Sequence, residues 1–308
     1  MSGPTVVVAG ATGALGRKIV RGLRKSGAGV RAVVRPSSDP ESVAALREIG
    51  GGAEGFETPE VDTSSVDALA AVCEGAECVV SAVAGLRPVI VDAQTTLLEA
   101  AVRAGVPRFI PSDFAIDFYR VPDGTNRNLD LRREFAARLE GKPIRATSIL
   151  NGIFSEFVFA PTPFVVFPLR RSLYFGARDQ AIDATAMDDV AAVTAACALD
   201  PDAPRFVRVA GNVLTPEGLA AEATAATGTT FKATRPCTLG MLRLMIRAAR
   251  LASFDKSALY PAWQGMQYVE NMQSGAAKLE PLDNGRFPDI RWTPLRETLK
   301  AGKPDFIA

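Results

Sequence analysis

Histidine is missing altogether from this 308-residue chain. Without an imidazole there is no Ser-His-Asp triad, no Cys-His pair and no histidine ligand for a metal. Proton transfer near pH 7 must then run through a carboxylate, Lys, Tyr, Cys, water or the substrate itself. Cysteine is scarce: Cys73, Cys78, Cys197 and Cys237 form no CxxC pair, which argues against zinc and offers no disulfide framework. They read as free, mostly buried thiols in a reducing compartment. A surplus of charge is lacking too. Thirty-five basic against 34 acidic side chains leave a formal net charge of +1, and both halves of the chain, cut at residue 150, are close to balance. Binding a phosphate backbone needs a concentrated positive surface, so no nucleic-acid partner is expected. No uninterrupted apolar run of about 18 residues occurs, so no membrane span is expected either. The start has no basic leader, and its apolar run feeds straight into a glycine-rich turn, which points to a cytoplasmic protein.

What is present is an ordinary globular balance, 47% hydrophobic and 22% charged, long enough for one large α/β unit or a domain with a smaller companion. Short apolar runs at Thr5–Ala9, Val30–Val34, Cys78–Ala82, Arg108–Pro111 and Arg145–Leu150 alternate with helix-like stretches near 14–26, 40–49, 65–73, 90–104 and 127–140. Near-continuous Val, Ile and Ala strands belong to a sheet buried on both faces, hence to parallel strands with right-handed crossover helices. The expectation is a doubly wound α/β domain over 1–154. A smaller, substrate-covering portion follows over 155–308, with some segments returning to the sheet.

In that second portion, Phe157 to Leu169 is rich in Phe and Val but broken by Pro161, Pro163 and Pro168, so it is no regular helix. Thr215 caps a helix that Pro216 and Glu217 open and Gly228 ends. A second helix is expected from Leu239 to Ala252, where Arg243, Arg247 and Arg250 make one stripe, read as a solvated face. Asp188-Asp189 reads as a helix start rather than an acid–base pair. Phe154, Phe157, Phe159, Phe164 and Phe167 are read as core, with a wall for an apolar ring as the other option.

The strongest chemical signal is the run from Val6 to Val20, in which Gly10, Gly13 and Gly16 recur as GxxGxxG between the first strand and an amphipathic helix. Gly10 permits a tight turn, Gly13 lets a pyrophosphate approach the backbone and Gly16 lets the helix pack on the strand. Thr12, Ala14 and Leu15 complete this candidate dinucleotide turn. Arg35 follows the second strand nineteen positions past Gly16, flanked by Ser37 and Ser38. An NAD site usually places an acid there to hold the ribose 2′-hydroxyl, whereas a guanidinium beside hydroxyls suits a 2′-phosphate. Asp39, the nearest acid, starts the next helix. NADP(H) is therefore the expected cofactor.

With these motifs the chain resembles the NmrA-like, isoflavone-reductase-like branch of the atypical short-chain dehydrogenases. The residues that carry the resemblance are the Gly10–Gly16 turn, Arg35, Val61-Asp62, Val80-Ser81-Ala82-Val83 and Arg108-Phe109-Ile110-Pro111-Ser112-Asp113-Phe114. The helix from Asn128 to Glu140 and the stretch Ser148 to Phe154 complete them. The resemblance implies a Rossmann-type fold, NADPH and a small, apolar or aromatic substrate. It also implies adenine near Asp62, and nicotinamide near Ser81–Val83, Pro111–Phe114 and Asn151–Phe154, with Ala82, Val83, Ser112 and Asn151 as the candidate contacts.

Two departures bear on the chemistry. None of the four tyrosines has lysine at the fourth following position, so the Tyr-Lys relay of ordinary short-chain dehydrogenases is missing. Alignment on the Pro-Ser-Asp-Phe segment also puts Arg132 where the plant reductases of this branch carry a catalytic lysine. A guanidinium cannot act as a base, but it can polarise a carbonyl or phenolate as hydride arrives, or serve only as a surface residue paired along its helix. Proton delivery would fall to water, Tyr119 or Asp113. The leading expectation is an NADPH-dependent reductase of a conjugated carbonyl or quinone-like substrate. The alternative is a non-catalytic NADP(H)-binding redox sensor acting through a partner protein. A homodimer is one assembly compatible with either.

Overall fold

A computed structural model describes residues 3–52, 54–158, 164–253 and 257–301. The chain forms two compact units that alternate along the sequence. The first takes the chain up to Asp113, then Leu131–Ile149 and Val190–Val207; the second takes Phe114–Asp130, Leu150–Asp189 and the chain from Arg208 onward.

The first unit is built on a six-stranded parallel sheet. Its strands are β1 (Thr5–Ala9), β2 (Gly29–Ala32), β3 (Phe56–Glu57), β4 (Cys78–Ser81), β5 (Arg108–Ile110) and β6 (Arg145–Ala146), in the order β3-β2-β1-β4-β5-β6. Val6, Val7 and Val8 are fully buried, as a strand covered on both faces requires. The register sets Val6 beside Val30 on one side and Cys78 on the other, and Val79 beside Phe109. The crossovers carry α1 (Ala14–Lys25), α2 (Pro40–Gly50), α3 (Val66–Cys73) and α4 (Gln94–Arg103). Each has a local cause. Asp39 accepts the Ser42 amide at 2.8 Å and Pro40 opens α2; Ser65 caps α3 by accepting from Ala68. The helices α5 (Arg127–Leu139) and α6 (Met187–Leu199) add Phe135 and Val190–Leu199 to this unit. Phe135 reaches a core of Val7, Val79, Leu98 and Phe109, its ring 6.2 Å from that of Phe109.

In the second unit, β8 (Ile153–Phe154), β11 (Ile182–Thr185) and β13 (Asn212–Leu214) form one small sheet, and β9 (Val165–Val166), β10 (Arg171–Leu173) and β14 (Lys232–Thr234) another. Its helices are α7 (Pro216–Thr227), α8 (Leu239–Ala252), α9 (Ala262–Gln273) and α10 (Leu295–Ala301). Thr215 does cap α7, accepting the Gly218 amide at 3.1 Å, and Gly228 ends it at φ 71°. Asp188 and Asp189 do sit in the first turn of α6. Within the proline-broken stretch, Phe159, Pro161 and Pro163 lie outside the described residues.

One sequence expectation is corrected. Arg145–Leu150 is not one strand: the chain breaks at Thr147, so that β6 closes the large sheet while β7 (Ser148–Leu150) pairs with β12 (Phe206–Arg208) in a separate two-stranded sheet. A six-residue stretch does not by itself reveal which neighbour each half will bond. Among the described residues no helix is long and apolar enough to cross a membrane, and no group of three His, Cys, Asp or Glu could hold a metal.

Candidate active site

The strand order of the first unit turns over between β1 and β4, the point where ligands of doubly wound sheets bind, outside the carboxyl ends of the strands. The glycine turn lies there. Gly10 has φ +75°, and a methyl on it would stand 2.5 Å from the Ala82 carbonyl oxygen; one on Gly16 would stand 2.1 Å from the Gly10 carbonyl oxygen. Both positions therefore exclude a side chain. The Gly13 amide donates to the Gly10 carbonyl at 3.0 Å, closing the turn. Gly13 is also the N-cap of α1. No side chain caps this helix and no acid occupies its first turn, so the amides of Ala14, Leu15 and Gly16 face outward at its positive end, where an intrahelical acceptor does not exist. Thr12 is half-buried beside them. The cradle fits a diphosphate.

After β2 the chain turns through Arg35, Ser37 and Ser38. The Ser38 hydroxyl accepts the Arg35 amide at 2.9 Å and the Ser38 amide returns to the Arg35 carbonyl at 2.9 Å. This pins the loop and leaves the Arg35 guanidinium exposed, with no protein partner among the described residues. Asp39 is spent on the cap of α2, and the Ser42 hydroxyl and amide hold its carboxyl below the usual range. Asp62 is exposed and accepts both the amide and hydroxyl of Ser64 at 2.9 and 2.7 Å, which likewise lowers its carboxyl.

On the other side of the turn, the Ser112 hydroxyl donates to the Val83 carbonyl at 2.6 Å and the Ser112 amide donates to Gln94 Oε1 at 2.8 Å. Gly10, Ala82, Val83 and Ser112 are thereby brought together around β1, β4 and β5. The next residue, Asp113, is 1% exposed. One of its oxygens accepts the Ser148 hydroxyl at 2.6 Å, and Ser148 in turn accepts from Arg205 at 2.7 Å. Burial pushes the Asp113 carboxyl up, against the opposing pull of Ser148 and of the Arg132 and Arg205 charges. Arg132 is half-buried on α5, in the same unit. Ser81 Oγ and Asp113 Oδ1 are buried without a partner among the described residues, polar atoms that a structure rarely leaves unserved without a ligand or water.

Asn151 and Tyr119 belong to the second unit. Asn151 is fully buried; its amide donates to Ala115 at 3.0 Å, its carbonyl accepts from the Thr185 hydroxyl at 2.7 Å, and its Oδ1 has no partner among the described residues. Tyr119 is 39% exposed and its ring stacks on Phe118 with centroids 4.4 Å apart. Phe154 and Phe157 meet edge to face at 5.9 Å, and Phe167 meets Phe231 at 5.6 Å. Phe164 is buried outright. Sequence reasoning missed Gln94, Ser148 and Arg205: each touches its site partner across 18 to 57 positions of chain, and no local spacing signals such pairs.

A curated NmrA-like family domain-containing oxidoreductase of Gibberella moniliformis (strain M3125 / FGSC 7600) is 29% identical over 130 residues, a stretch covering 39% of this chain and 42% of that protein. The chain thus matches less than half the length of that relative. Among solved structures, the protein AtPrR2, described with NADP+ and (+)pinoresinol, superposes with a TM-score of 0.80 at 21% identity over 98% of this chain and 99% of its own. An isoflavone reductase gives 0.81 at 21% identity over 97% and 99%. These likenesses show the fold. The family model described as NmrA-like matches residues 3–237, which takes in the glycine turn, Arg35, Ser112 and Arg132, and so the chain belongs to the NmrA-like family.

Proposed function

We propose that the chain is an NADPH-dependent reductase of a small aromatic or conjugated carbonyl, or of a quinone-like acceptor. The observation that carries this reading is the division of labour after β2. The acid nearest in sequence, Asp39, is consumed as a helix cap, while Arg35 is left exposed beside two serines. A ribose 2′-phosphate is the group such a loop suits, and the similarity to a protein described with NADP+ and (+)pinoresinol supports it.

NADPH, when bound, supplies the hydride. The amides of Ala14, Leu15 and Gly16 hold the diphosphate at the positive end of α1. Arg35, Ser37 and Ser38 take the 2′-phosphate, and Asp62 borders the adenosine. Ala82, Val83 and Ser112 line the nicotinamide end. Arg132 offers a permanent positive charge to the substrate oxygen, which stabilises negative charge there without any proton leaving the enzyme. The proton that follows comes from water or from Asp113, whose burial favours the protonated carboxyl.

Arginine in place of lysine, and the lack of a Tyr-Lys relay, favour the second reading of an NADP(H)-binding regulator that acts through a partner. One experiment separates the two. NADPH oxidation is followed by absorbance with a panel of aromatic ketones, enones and quinones. Turnover that Arg132→Ala abolishes while NADPH still binds supports the reductase. Tight NADP+ binding with no turnover across the panel overturns it in favour of the regulator.

A further inference from the structure

The helix α8 has three faces. Leu242 and Ile246 are buried, on the side that packs against α9. Arg243, Arg247 and Arg250 form a second row. The third face is apolar and open: Met241, Leu244, Met245 and Leu251 are 57%, 66%, 50% and 89% exposed. At 3.6 residues per turn these four, with Ala248 and Ala252, share an arc of about 120° that carries no charged residue. Four of the nine exposed large hydrophobic residues of the described chain lie on this one helix, which makes the arc a patch rather than scatter.

Charge selects the occupant. From Ala223 to Ser253 the chain carries Lys232, Arg235, Arg243, Arg247 and Arg250 and no acidic residue. Arg243 is held by Glu270 at 2.7 Å and Arg250 lies 5.7 Å above the Trp263 ring, while Arg247 is exposed with no partner among the described residues. The apolar arc covers about 200 Å², taken as a helix 14 residues long and roughly 10 Å across. A stable interface buries about 800 Å² on each partner. A second copy docked on this arc would fall well short of that and would bring two arginine rows together. A lipid surface requires no matching shape: it accepts leucine and methionine to a shallow depth while arginines at the flank meet anionic headgroups.

We infer that the exposed Met241–Ala252 face of α8, with Arg247 and its basic neighbours, docks the protein on an anionic membrane surface. The protein stays peripheral, with its helix lying in the plane of the headgroups. This inference is independent of the proposed reductase activity.

The test is flotation of the full-length protein with vesicles of phosphatidylcholine alone or mixed with phosphatidylglycerol, at low and high salt. The protein floats with the mixed vesicles at low salt, and high salt weakens the association. Apparent lipid affinity falls about tenfold or more in Leu244→Glu/Leu251→Glu, and clearly in Arg247→Glu, as expected when burial and charge act together. Both leucines are exposed, so thermal midpoints stay unchanged; Leu244→Ser/Leu251→Ser serves the same purpose if the glutamates hinder folding. Failure to float with either vesicle overturns the inference, as does equal flotation with both. A lipid-free dimer in light scattering that the leucine variants convert to monomer also overturns it, and assigns the face to a second copy.

Discussion

Arg35 and Asp39 stand four residues apart and do opposite things: one is left exposed, the other is bound to its own helix. The proposed preference for NADPH rests on that contrast. Arg35→Ala should weaken NADPH binding about tenfold, roughly 1.4 kcal/mol for an exposed charged hydrogen bond, while NADH affinity stays within about a factor of two. Fluorescence titration of both cofactors reads the ratio, and an equal loss for both would show that Arg35 does not meet the 2′-phosphate. Asp113 supplies a second prediction at this scale. Its carboxyl is raised above the ordinary 3.8 by burial, so the folded state holds a proton that the unfolded state has released. The stability tied to that proton is complete below the ordinary value and is lost as pH climbs through the raised one. Asp113→Asn keeps a neutral side chain at every pH. In urea unfolding at pH 5 and pH 8, the wild-type advantage over Asp113→Asn should shrink or reverse at the higher pH. A pH-independent gap would show that Asp113 is ionised throughout.

At the scale of elements, most of the sheet was legible because a doubly wound fold writes itself locally. Buried parallel strands give runs such as Val6-Val7-Val8, and helices announce themselves through caps such as Asp39-Pro40 and Thr215-Pro216. The glycine turn was legible for the same reason, since backbone approach to Ala82 and Gly10 demands glycine. What was not legible lacks a local cause. β3 is two residues long, with only Phe56 half-buried, and the break at Thr147 depends on which distant strand each half meets. Arg108 shows the same dependence on distance. Read as the start of a strand, it is 8% exposed and its guanidinium donates to the Cys197, Ala198 and Asp200 carbonyls at 2.9, 2.6 and 2.6 Å. It thereby adds hydrogen bonds to carbonyls at the negative end of α6. Arg108→Leu would remove three hydrogen bonds from a charged donor, a loss of about 3 kcal/mol at roughly 1 kcal/mol each. The urea midpoint should fall with its slope unchanged. Arg108→Lys, with one ammonium for three carbonyls, should recover only part of it.

For the whole molecule, the decisive feature is that the two units share the chain in alternation, with crossings after Asp113, Asp130, Ile149, Asp189 and Val207. A domain cut out at one linker can unfold by itself, but units threaded together five times must exchange their segments through a common unfolded state. A single cooperative thermal transition is therefore expected despite the chain length, although many two-unit proteins show two. This makes nucleotide binding readable as global stability. A ligand that binds only the native state at about 100 times its Kd adds roughly 2.7 kcal/mol, which corresponds to about 5–10 °C at roughly 2–4 °C per kcal/mol for a chain of this class. NADP+ should raise the single midpoint by that order, and NAD+ at equal concentration by less than half as much. The Gly16→Ala variant, whose new methyl would stand 2.1 Å from the Gly10 carbonyl oxygen, should lose the shift along with some basal stability. Two separated transitions, only one of which NADP+ moves, would show that the glycine-turn unit unfolds alone and that threading does not couple the halves. A midpoint that neither nucleotide moves would remove the dinucleotide site itself, and with it the assignment of hydride chemistry to this chain.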